Sequence, residues 1–407
     1  MHDTSPGRQA DRTALWLAAM LAGLAMIGPF SVDTYMPSFP EIGKTFSVTP
    51  QQMQLTLSAY LATFSVMTLF HGAISDSFGR RPVILVNLAV FVAATIGCAL
   101  ARDFGQLLMF RALQGLSGGA GMVVGRAMIR DSFAGHEAQR MMSMVTMIFG
   151  VAPAIAPVIG GWLQAGFGWR SVFVFLTLYS TLLLACCYWR LPESLPHSAR
   201  QPFAPRPLAA NYLKLIGSLR FGLLSSAIAF NFAGFFLYIC SAPAIIYNLL
   251  HLNERQFGWL FIPAVSGVVC GAYLSGRVAG RLAPGRTLRL AYAIMFAAAV
   301  FNLGYHLLRA PALPWTVLPV MIYTVGMSLA MPNLTLFALD LFPRNRGLGA
   351  SLQGFQQSFF AAIVAGAVSP LAAVSGLGLA TTSFTLLLSG AACAFAYSKL
   401  PKEIVTT

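Results

Sequence analysis

The chain has 407 residues, of which 57% are hydrophobic and 9% are charged. A soluble core of this length could not be so apolar, so the composition indicates a membrane protein. The formal net charge is +14. The basic residues are dispersed over many loops, without the single stripe of basic and aromatic residues that nucleic-acid binding requires, and this excludes a nucleic-acid partner.

Runs of about 20 apolar residues, the length that crosses a bilayer, occur twelve times along the chain. The predicted spans are 14–38, 52–74, 83–101, 104–126, 141–165, 170–191, 220–247, 256–276, 287–308, 314–336, 348–373 and 376–398. The first span is too long for a signal peptide and lacks a following small-residue cleavage site, so we expect it to remain as a membrane helix. The sequence therefore predicts an all-α membrane protein with twelve transmembrane helices.

The first predicted span contains Asp33, the only carboxylate of the chain that falls clearly within a span. A charge at this depth costs several kcal/mol unless it is paired, hydrated or protonated, so Asp33 indicates transport chemistry. The segment that follows reads Asp33-Thr-Tyr-Met-Pro-Ser-Phe-Pro40.

The loop after the second span reads Gly72-Ala-Ile-Ser-Asp76-Ser-Phe-Gly79-Arg80-Arg81-Pro82. Gly72 and Gly79 permit close approach of two backbones. Asp76 can cap or pair at a neighbouring helix end, while Arg80 and Arg81 anchor the turn at the inner membrane face. A basic turn without further function is the alternative for each arginine alone, but the whole pattern favours a latch between helices.

The fourth span reads Arg111-Ala-Leu-Gln114-Gly115-Leu-Ser-Gly118-Gly119-Ala-Gly121. Arg111, Gln114, Gly118 and Gly121 lie on one helix face, where a neighbouring helix can approach closely. Arg111 and Asp33 each lie about seven residues, or roughly 10 Å, from the outer ends of their spans, so we expect them to be level. If they line one cavity they can pair, and a proton at Asp33 then competes with Arg111. A permanent structural salt bridge is the alternative.

The fifth span contains Gly150-Val-Ala-Pro153-Ala-Ile-Ala-Pro157-Val-Ile-Gly160-Gly161. Each proline removes a backbone hydrogen bond and bends the helix, and the glycines let a partner helix pack closely. Such a span suits a hinge or an ion-tight seam.

The longest predicted loop, 192–219, is rich in proline and basic residues and is interpreted as a linker. It separates 1–191 from 220–407, and each part has six predicted spans. A weak echo of the loop motif follows the eighth span. We expect two six-helix bundles related by an axis along the membrane normal.

The orientation follows from the basic residues, because Lys and Arg collect on the cytoplasmic side. With both termini inside, twenty of the 26 basic residues, from Arg8 to Lys402, lie in inner loops and tails. Five lie outside, and Arg111 is left within a span. The sequence thus predicts a multi-pass protein with cytoplasmic N- and C-termini, and its charge reflects topology and contact with anionic lipid.

Cofactor chemistry has little support in the sequence. The six cysteines fall within predicted spans without the paired spacing of a metal site, and they are interpreted as small packing residues. The sequence contains no Gly-Lys-Ser/Thr phosphate loop, so we expect an ion gradient to drive any uphill transport. We expect no metal, no cofactor and no enzymatic activity.

Three of these motifs resemble signatures of the major facilitator superfamily. The loop motif is similar to Gly-x-Leu-x-Asp-Arg-x-Gly-Arg-Arg/Lys, with Ile74 for Leu and Ser77 for the first Arg. The fourth span resembles Arg-x-x-Gln-Gly. The fifth span resembles the antiporter signature Gly-x-x-x-Gly-Pro-x-x-Gly-Gly, with Ala156 for the glycine before Pro157.

The string from Asp33 to Pro40 narrows this resemblance. It is similar to Asp-x-Tyr-Leu/Met-Pro-x-x-Pro of the bicyclomycin/chloramphenicol resistance (Bcr/CflA) subfamily of drug:proton antiporters. The resemblance implies the major facilitator fold and a proton-driven exporter of a bacterial inner membrane. It also implies that Asp33 and Arg111 match the functional acid and arginine of that family.

The substrate cavity of such a protein should be large, mostly apolar and adaptable, with a few polar groups. For each candidate, ordinary helix packing is the alternative. The candidates are Tyr35, Tyr60, Gln114, Asn231, Tyr238, Asn333 and Gln356. His71 and His306 could join proton handling, with an interfacial position as the alternative.

We therefore predict a monomeric, proton-coupled multidrug efflux antiporter in the lipid bilayer, exporting small amphipathic compounds such as chloramphenicol- or bicyclomycin-like drugs. An exporter of one native metabolite, a nucleoside or amino-acid derivative, is the nearest alternative. A proton-symport importer is disfavoured by the antiporter signature of the fifth span. A membrane sensor would need a soluble output module, for which the chain has no sufficiently long segment.

Overall fold

The computed structural model describes residues 6–401, apart from the side chains of 6–15 and of Arg344. Lys402, counted above for the orientation, lies outside the described residues, and so do the side chains of Arg8 and Arg12. From residue 6 to residue 401 the chain forms helices and no strand.

Twelve segments of the described chain are long and apolar enough to cross a bilayer, which confirms the predicted count. Spans 1 to 6 are Trp16–Phe46, Pro50–Phe78, Arg80–Leu100, Phe104–Ser132, Gly135–Phe167 and Arg170–Arg190. Spans 7 to 12 are Leu219–Cys240, Glu254–Val278, Pro284–Leu308, Leu318–Asp340, Arg346–Ala372 and Gly376–Lys399.

Span 1 is interrupted just after its carboxylate. A helix covers Pro6–Asp33, a single 3₁₀ turn covers Met36–Ser38, and a second helix covers Phe39–Phe46. Pro37 lies in the first turn of the 3₁₀ segment and Pro40 in that of the second helix. Proline has no N–H to donate, so it is favoured in the first turn of a helix and cannot extend the backbone hydrogen bonds of a preceding helix. Asp33 is therefore the last residue of its helix.

Four other spans depart from one regular helix, among them span 8, where a 3₁₀ turn Glu254–Gln256 precedes the helix Gly258–Val278. Span 4 consists of Phe104–Gly118 and Ala120–Ser132, which meet at Gly119, a poor helix former. The α-helix of span 7 ends at Cys240, whereas the predicted span extended to residue 247. Pro243 has no N–H with which to continue the backbone hydrogen bonds of this helix. A π-turn then covers Ala244–Leu249. Span 11 passes from Arg346–Ile363 through a π-turn into Ser369–Ala372.

The segment interpreted as a linker contains a helix. Pro205–Ile216 begins with proline in its first turn and buries Tyr212 and Leu215, while most of its other side chains are exposed. This amphipathic helix packs against spans 7 and 11.

The chain divides into two compact units. The first unit extends to Phe203 and includes Glu254–Gly258, and the second contains Ala204–Asn253 and the chain from Trp259 onward. Span 1 packs on span 5, span 2 on span 4, and span 3 on spans 4 and 6. In the second unit, span 7 packs on spans 10, 11 and 12, and span 9 on spans 10 and 12.

Both units use the same device to bring two helices together. In the first unit, the Thr63 hydroxyl donates to the Ala112 carbonyl over 2.8 Å, and Gly115 leaves room for the backbone of span 2. In the second unit, the Thr324 hydroxyl donates to the Ala264 carbonyl over 3.0 Å, and Gly267 leaves room for span 10. Small residues and interhelical hydrogen bonds of this kind hold membrane helices together.

Candidate functional site

The first unit buries the guanidinium of Arg111 completely. The helix that carries it starts at an Asp103 cap, whose side chain accepts from the Gln106 amide. Nη1 of Arg111 donates to the backbone oxygen of Ser31 over 3.1 Å and to its hydroxyl over 3.0 Å. It also donates to Oε1 of Gln114 over 2.8 Å, one turn further along the same helix.

Two tyrosines flank this guanidinium. The Arg111 Cζ lies 4.7 Å from the ring centre of Tyr35 and 4.6 Å from that of Tyr60. The Tyr35 hydroxyl lies 2.8 Å from the Thr56 hydroxyl, which fixes its ring. Cation–π contacts of this kind are stronger when both partners are desolvated. Among the described residues, Nε and Nη2 of Arg111 have no hydrogen-bond partner, so the rings are the main support for that side of the cation.

Gln114 connects the arginine to span 3. Its amide nitrogen donates to the Thr95 hydroxyl over 2.8 Å, and its oxygen lies 3.7 Å from the sulfur of Cys98. Arg111, Gln114, Tyr35 and Tyr60, four residues predicted for the site, thus form one buried group, which we call the arginine cluster. Its hydrogen bonds and ring contacts join spans 1, 2, 3 and 4.

Asp33 lies beside this cluster and is 4% exposed. Within residues 6–401, its carboxylate forms no ion pair with Arg111 and no hydrogen bond with another described side chain. Arg111 instead reaches Ser31, two residues earlier on the same helix. Side chains two positions apart point to different faces of a helix, so an arginine held at Ser31 does not face Asp33. Arg111 contacts the turn of span 1 that ends at Asp33, but the salt bridge considered above is not formed.

One glycine of the span 5 motif packs directly beside Asp33. A Cβ atom at Gly160 would lie 2.0 Å from the backbone oxygen of Thr34, the next residue in the chain. A Cβ at Gly161 would lie equally close to the backbone oxygen of Glu254, in the first unit. At Gly150 a Cβ would meet nothing within 4 Å, so close packing belongs to the later glycines. Pro153 and Pro157 lie inside the continuous helix Gly135–Phe167.

The loop motif after span 2 forms a network centred on Arg80. Its guanidinium donates to the Ser75 hydroxyl over 2.7 Å and forms ion pairs with Asp76 and, over 3.0 Å, with Asp131 at the end of span 4. Arg81 donates to the carbonyl of Tyr188 in span 6 over 2.6 Å. The motif therefore connects the ends of spans 2, 4 and 6.

Glu193 completes this network and was missed in the sequence analysis. Its two oxygens accept from the backbone amides of Arg80 and Arg81, the first residues of span 3. Gly79, whose φ is +100°, turns the chain toward it, and a Cβ there would lie 2.5 Å from Oε2 of Glu193. Gly72, by contrast, has no neighbour within 4 Å of such a Cβ. The sequence did offer one signal for Glu193: it is a carboxylate just after span 6, on the same predicted side of the membrane as Arg80 and Arg81.

Two candidates of the second unit, Asn231 and Tyr238, lie among other tyrosines and asparagines, and Tyr238, Asn302 and Tyr323 line one small cavity. Asn231 donates to the Tyr292 hydroxyl over 3.0 Å, and its carbonyl accepts from Tyr323 over 2.9 Å. Tyr238 accepts from Asn302. Tyr292, Tyr323 and Asn302 were not predicted, since single polar residues in a span carry no sequence signal of their own. We call these five residues the neutral network.

The remaining candidates lie elsewhere. Gln356 donates to the Ser226 hydroxyl over 2.9 Å, and Asn333 donates to the Leu329 carbonyl of its own helix. His71 lies 3.2 Å from Oδ1 of Asn87, and His306 is at the far end of span 9. In the described part of the chain, no three His, Cys, Asp or Glu side chains converge as a metal site would require.

Twelve membrane-length helices, arranged in two compact units around buried polar groups, define a membrane transporter of the major facilitator type. The model of the Major Facilitator Superfamily matches residues 15–366, so the chain belongs to this superfamily. It is accordingly a transporter and not an enzyme, and it is a multi-pass membrane protein.

Three relatives align over most of the chain, each 28% identical to it. A bicyclomycin resistance protein homolog of Haemophilus influenzae aligns over 348 residues, 86% of this chain and 87% of that protein. The alignment with multidrug resistance protein D of Escherichia coli covers 91% of this chain and 93% of that protein. The alignment with the uncharacterized MFS-type transporter YdgK of Bacillus subtilis covers 96% of each protein. These similarities confirm the resemblance to the bicyclomycin/chloramphenicol resistance subfamily.

Solved structures confirm the fold. A bacterial homolog of the human lysosomal transporter Spinster, in an inward-facing and occupied conformation, superposes with a TM-score of 0.70 at 17% identity over 97% of this chain and 98% of that one. The human organic anion transporter MFSD10 superposes with a TM-score of 0.63 at 20% identity, over 97% of this chain and 100% of that one.

Proposed function

We propose that the chain is a proton-coupled exporter of small amphipathic drugs in a bacterial inner membrane. The observation that carries this proposal is Asp33, a buried carboxylate without an ion-pair partner among the described residues, next to the arginine cluster. The relatives named for bicyclomycin and multidrug resistance support drugs as the cargo.

Asp33 binds the proton in this proposal. An unpaired carboxylate at membrane depth is costly as an anion, and a proton removes that cost. Loss of the proton restores the charge, and Arg111, whose guanidinium contacts Ser31 two residues before Asp33, is the cation that we propose compensates it. Movement of the guanidinium from Ser31 toward Asp33 would then distinguish the deprotonated state from the protonated one.

Exchange follows from the two states of Asp33. The carboxyl takes a proton at the outer side as the drug leaves and releases it at the cytoplasmic side as the next drug binds. Gly160 supports this cycle because it holds span 5 against the backbone beside Asp33. A shift of either helix would therefore change the surroundings of the carboxyl.

The remaining features of the proposal concern topology and cargo. Both termini lie in the cytoplasm, 192–219 joins bundles 1–191 and 220–407 on that side, and the protein acts as a monomer. The loop motif and Glu193 form a cytoplasmic latch. Within the first unit, Tyr35 and Tyr60 offer hydroxyl and aromatic groups to a drug. Within the second unit, Asn231 and Tyr238 offer amide, hydroxyl and aromatic groups. Such groups are typical of sites that accept many ligands.

Drug efflux in inverted membrane vesicles tests the proposal. Chloramphenicol and ethidium transport would be measured under an imposed pH gradient for the wild type, for Asp33→Asn and for the control Asp340→Asn. Asp340 is an exposed carboxylate paired with Arg346 in the second unit, so its loss controls for charge alone.

We expect gradient-driven transport to vanish in Asp33→Asn at matched protein level, with drug binding retained, and to persist in Asp340→Asn. Gradient-driven transport that survives in Asp33→Asn would contradict the assigned role. Failure of the wild type to move either compound would favour a metabolite exporter.

A further inference from the structure

A buried imidazole of the first unit has no role in the exchange proposed at Asp33. It belongs to His71, in the helix Pro50–Phe78 of span 2, and it is completely buried. His71 follows Tyr60 of the arginine cluster by 11 residues, which at 1.5 Å per residue separates them by roughly 16 Å along the helix. It precedes Asp76 of the loop motif by five residues. His71 therefore lies between the arginine cluster and the loop motif, nearer to the loop motif.

The hydrogen bonds of Asn87, in span 3, fix which ring nitrogen of His71 carries a proton. Nδ2 of Asn87 donates to the Val83 carbonyl over 2.8 Å, so Oδ1 is the amide atom that faces the ring. Nε2 of His71 lies 3.2 Å from that oxygen, and because an amide oxygen only accepts, Nε2 donates. A neutral imidazole has one N–H, so Nδ1 is an unprotonated acceptor. The neutral ring is thus the Nε2–H tautomer.

Nδ1 of His71 is buried without a donor. Among the described residues it has no hydrogen-bond partner. The backbone carbonyl of Leu116, in span 4, lies within hydrogen-bonding reach of the ring. A carbonyl oxygen and an unprotonated ring nitrogen are both acceptors, so they cannot bond to each other. A proton on Nδ1 would turn this nitrogen into a donor and complete a bond from span 2 to span 4.

Leu116 lies at the point where span 4 is interrupted. It belongs to the last turn of the helix Phe104–Gly118, which Gly119 separates from the helix Ala120–Ser132. The carbonyl groups in the last turn of a helix have no partner within that helix. The same helix carries Arg111, so a bond formed at Leu116 would restrain the helix that holds the centre of the arginine cluster.

Within residues 6–401, no charged side chain faces the ring of His71. Asn87 and Leu116 are the polar groups that face it from spans 3 and 4. On span 2 itself, the carboxylate of Asp76 is paired with Arg80. A protonated ring would therefore be a cation held by hydrogen bonds alone, which is costly within a span. Asp76 is half-exposed, so solution is near, and the proton should leave readily when the pH there rises.

We propose that His71 is a second proton-binding residue of the exporter, which senses the pH of the cytoplasm and slows export when the cytoplasm is acidic. A proton on Nδ1 adds the bond to Leu116 and fastens span 2 to span 4, so these helices shift less easily. The proton comes from the cytoplasm and returns to it, so the protons exchanged per drug stay the same. The inference rests on the proposed function, because it adds regulation to proton-driven export.

Nitrogen NMR tests the proton site without transport. The full-length protein with isotope-labelled histidine would be placed in phosphatidylcholine nanodiscs and titrated between about pH 5 and about pH 8, where histidine ordinarily changes its charge. The signal of His71 is the one lost in His71→Gln, and Asn87→Ala identifies it independently by moving it. We expect the Nε2–H tautomer at the alkaline end and reversible protonation of Nδ1 at the acidic end.

Drug efflux in inverted vesicles tests the regulation. The cytoplasmic face is outermost there, so the external pH can be lowered while the pH difference across the membrane is kept constant. At the acidic end we expect His71→Gln to export at least about threefold faster than the wild type, because glutamine can donate to Asn87 but cannot gain a proton. At the alkaline end the two should be equal. His136→Gln removes an exposed imidazole at the start of span 5 and should follow the wild type.

Two results would overturn the inference. The first is a His71 ring that stays neutral over the whole titration or carries its proton on Nδ1 at the alkaline end. The second is an export rate that falls equally in the wild type and in His71→Gln on acidification; Asp33 is present in both, so its own titration affects them alike. The NMR measurement uses neither drug nor gradient, so a failure of drug export would leave its result unchanged.

Discussion

The two units of the protein share a way of packing but differ in the polar groups that they bury. Thr63 and Thr324 each donate to an alanine carbonyl of a neighbouring span, and Gly115 and Gly267 make room three residues further on. The arginine cluster of the first unit, however, surrounds a charge, whereas the neutral network of the second unit consists of tyrosine and asparagine. Equivalent helix contacts thus support two kinds of interior, one built around a permanent charge and one built from neutral polar groups.

The difference assigns separate tasks to the two interiors under the proposed function. Charge compensation at Asp33 belongs to the first unit, where Arg111 is fully buried. The neutral network can hold a drug by shape and hydrogen bonding but cannot exchange its charge state with the membrane gradient. Changes in the first unit should therefore alter coupling, while changes in the second should alter selectivity.

The largest effect is expected at Arg111. Arg111→Lys keeps the charge but cannot reproduce a planar guanidinium that donates to Ser31 and Gln114 between two aromatic rings. Loss of hydrogen bonds to a buried cation costs about 1.5–3 kcal/mol each, so we expect transport to fall by roughly tenfold or more. The measurement is vesicle efflux at matched protein level.

Arg309→Lys is the control for Arg111→Lys. Arg309 lies at the end of span 9 and is exposed. Its replacement should leave efflux unchanged. Full activity in Arg111→Lys would contradict this expectation. It would show that any positive charge is sufficient at this position and that the planar guanidinium is not required.

A smaller effect is expected at Gly160. In Gly160→Ala the new methyl group would collide with the Thr34 backbone and push span 5 away from Asp33. Overpacking of this kind costs about 1–3 kcal/mol, and because the collision is next to the carboxyl we expect loss of gradient-driven transport before loss of the folded protein. Efflux and a thermal-stability assay would be compared for the same preparation.

Gly150→Ala provides a matched control in the same helix. A Cβ at Gly150 would have no neighbour within 4 Å, so this variant should transport normally. Equal activities of the two variants would mean that close packing beside Asp33 has no part in coupling.

The smallest effect is expected in the neutral network. Asn231→Ala removes the hydrogen bond to Tyr292 but no charge. A neutral hydrogen bond contributes about 1 kcal/mol, so we expect efflux of individual drugs to change by no more than about fivefold, with the protons exchanged per drug unchanged. Asn333→Ala, whose amide donates to its own helix, is the control and should match the wild type. A changed proton ratio in Asn231→Ala would extend coupling into the second unit.

Much of the fold was predictable because membrane-length apolar runs are a strong signal. The break after Asp33 and the helix Pro205–Ile216 were not predicted, since the first depends on two prolines at the end of an apolar run and the second on amphipathic pattern in a proline-rich loop. The depth of Asp33 and Arg111 could be counted along the helices. Their partners could not, because the rotation of each helix decides whether Arg111 meets Ser31 or Asp33.

Proton movement in proteoliposomes tests the central claim most directly. Liposomes with a pH-sensitive dye in the lumen would receive external ethidium without an imposed gradient, and wild type would be compared with Asp33→Asn. The account predicts that the lumen becomes alkaline in the wild type, because ethidium enters as protons leave, and that Asp33→Asn gives no change. Acidification by the wild type, or unaltered alkalinisation by Asp33→Asn, would contradict drug:proton exchange through Asp33.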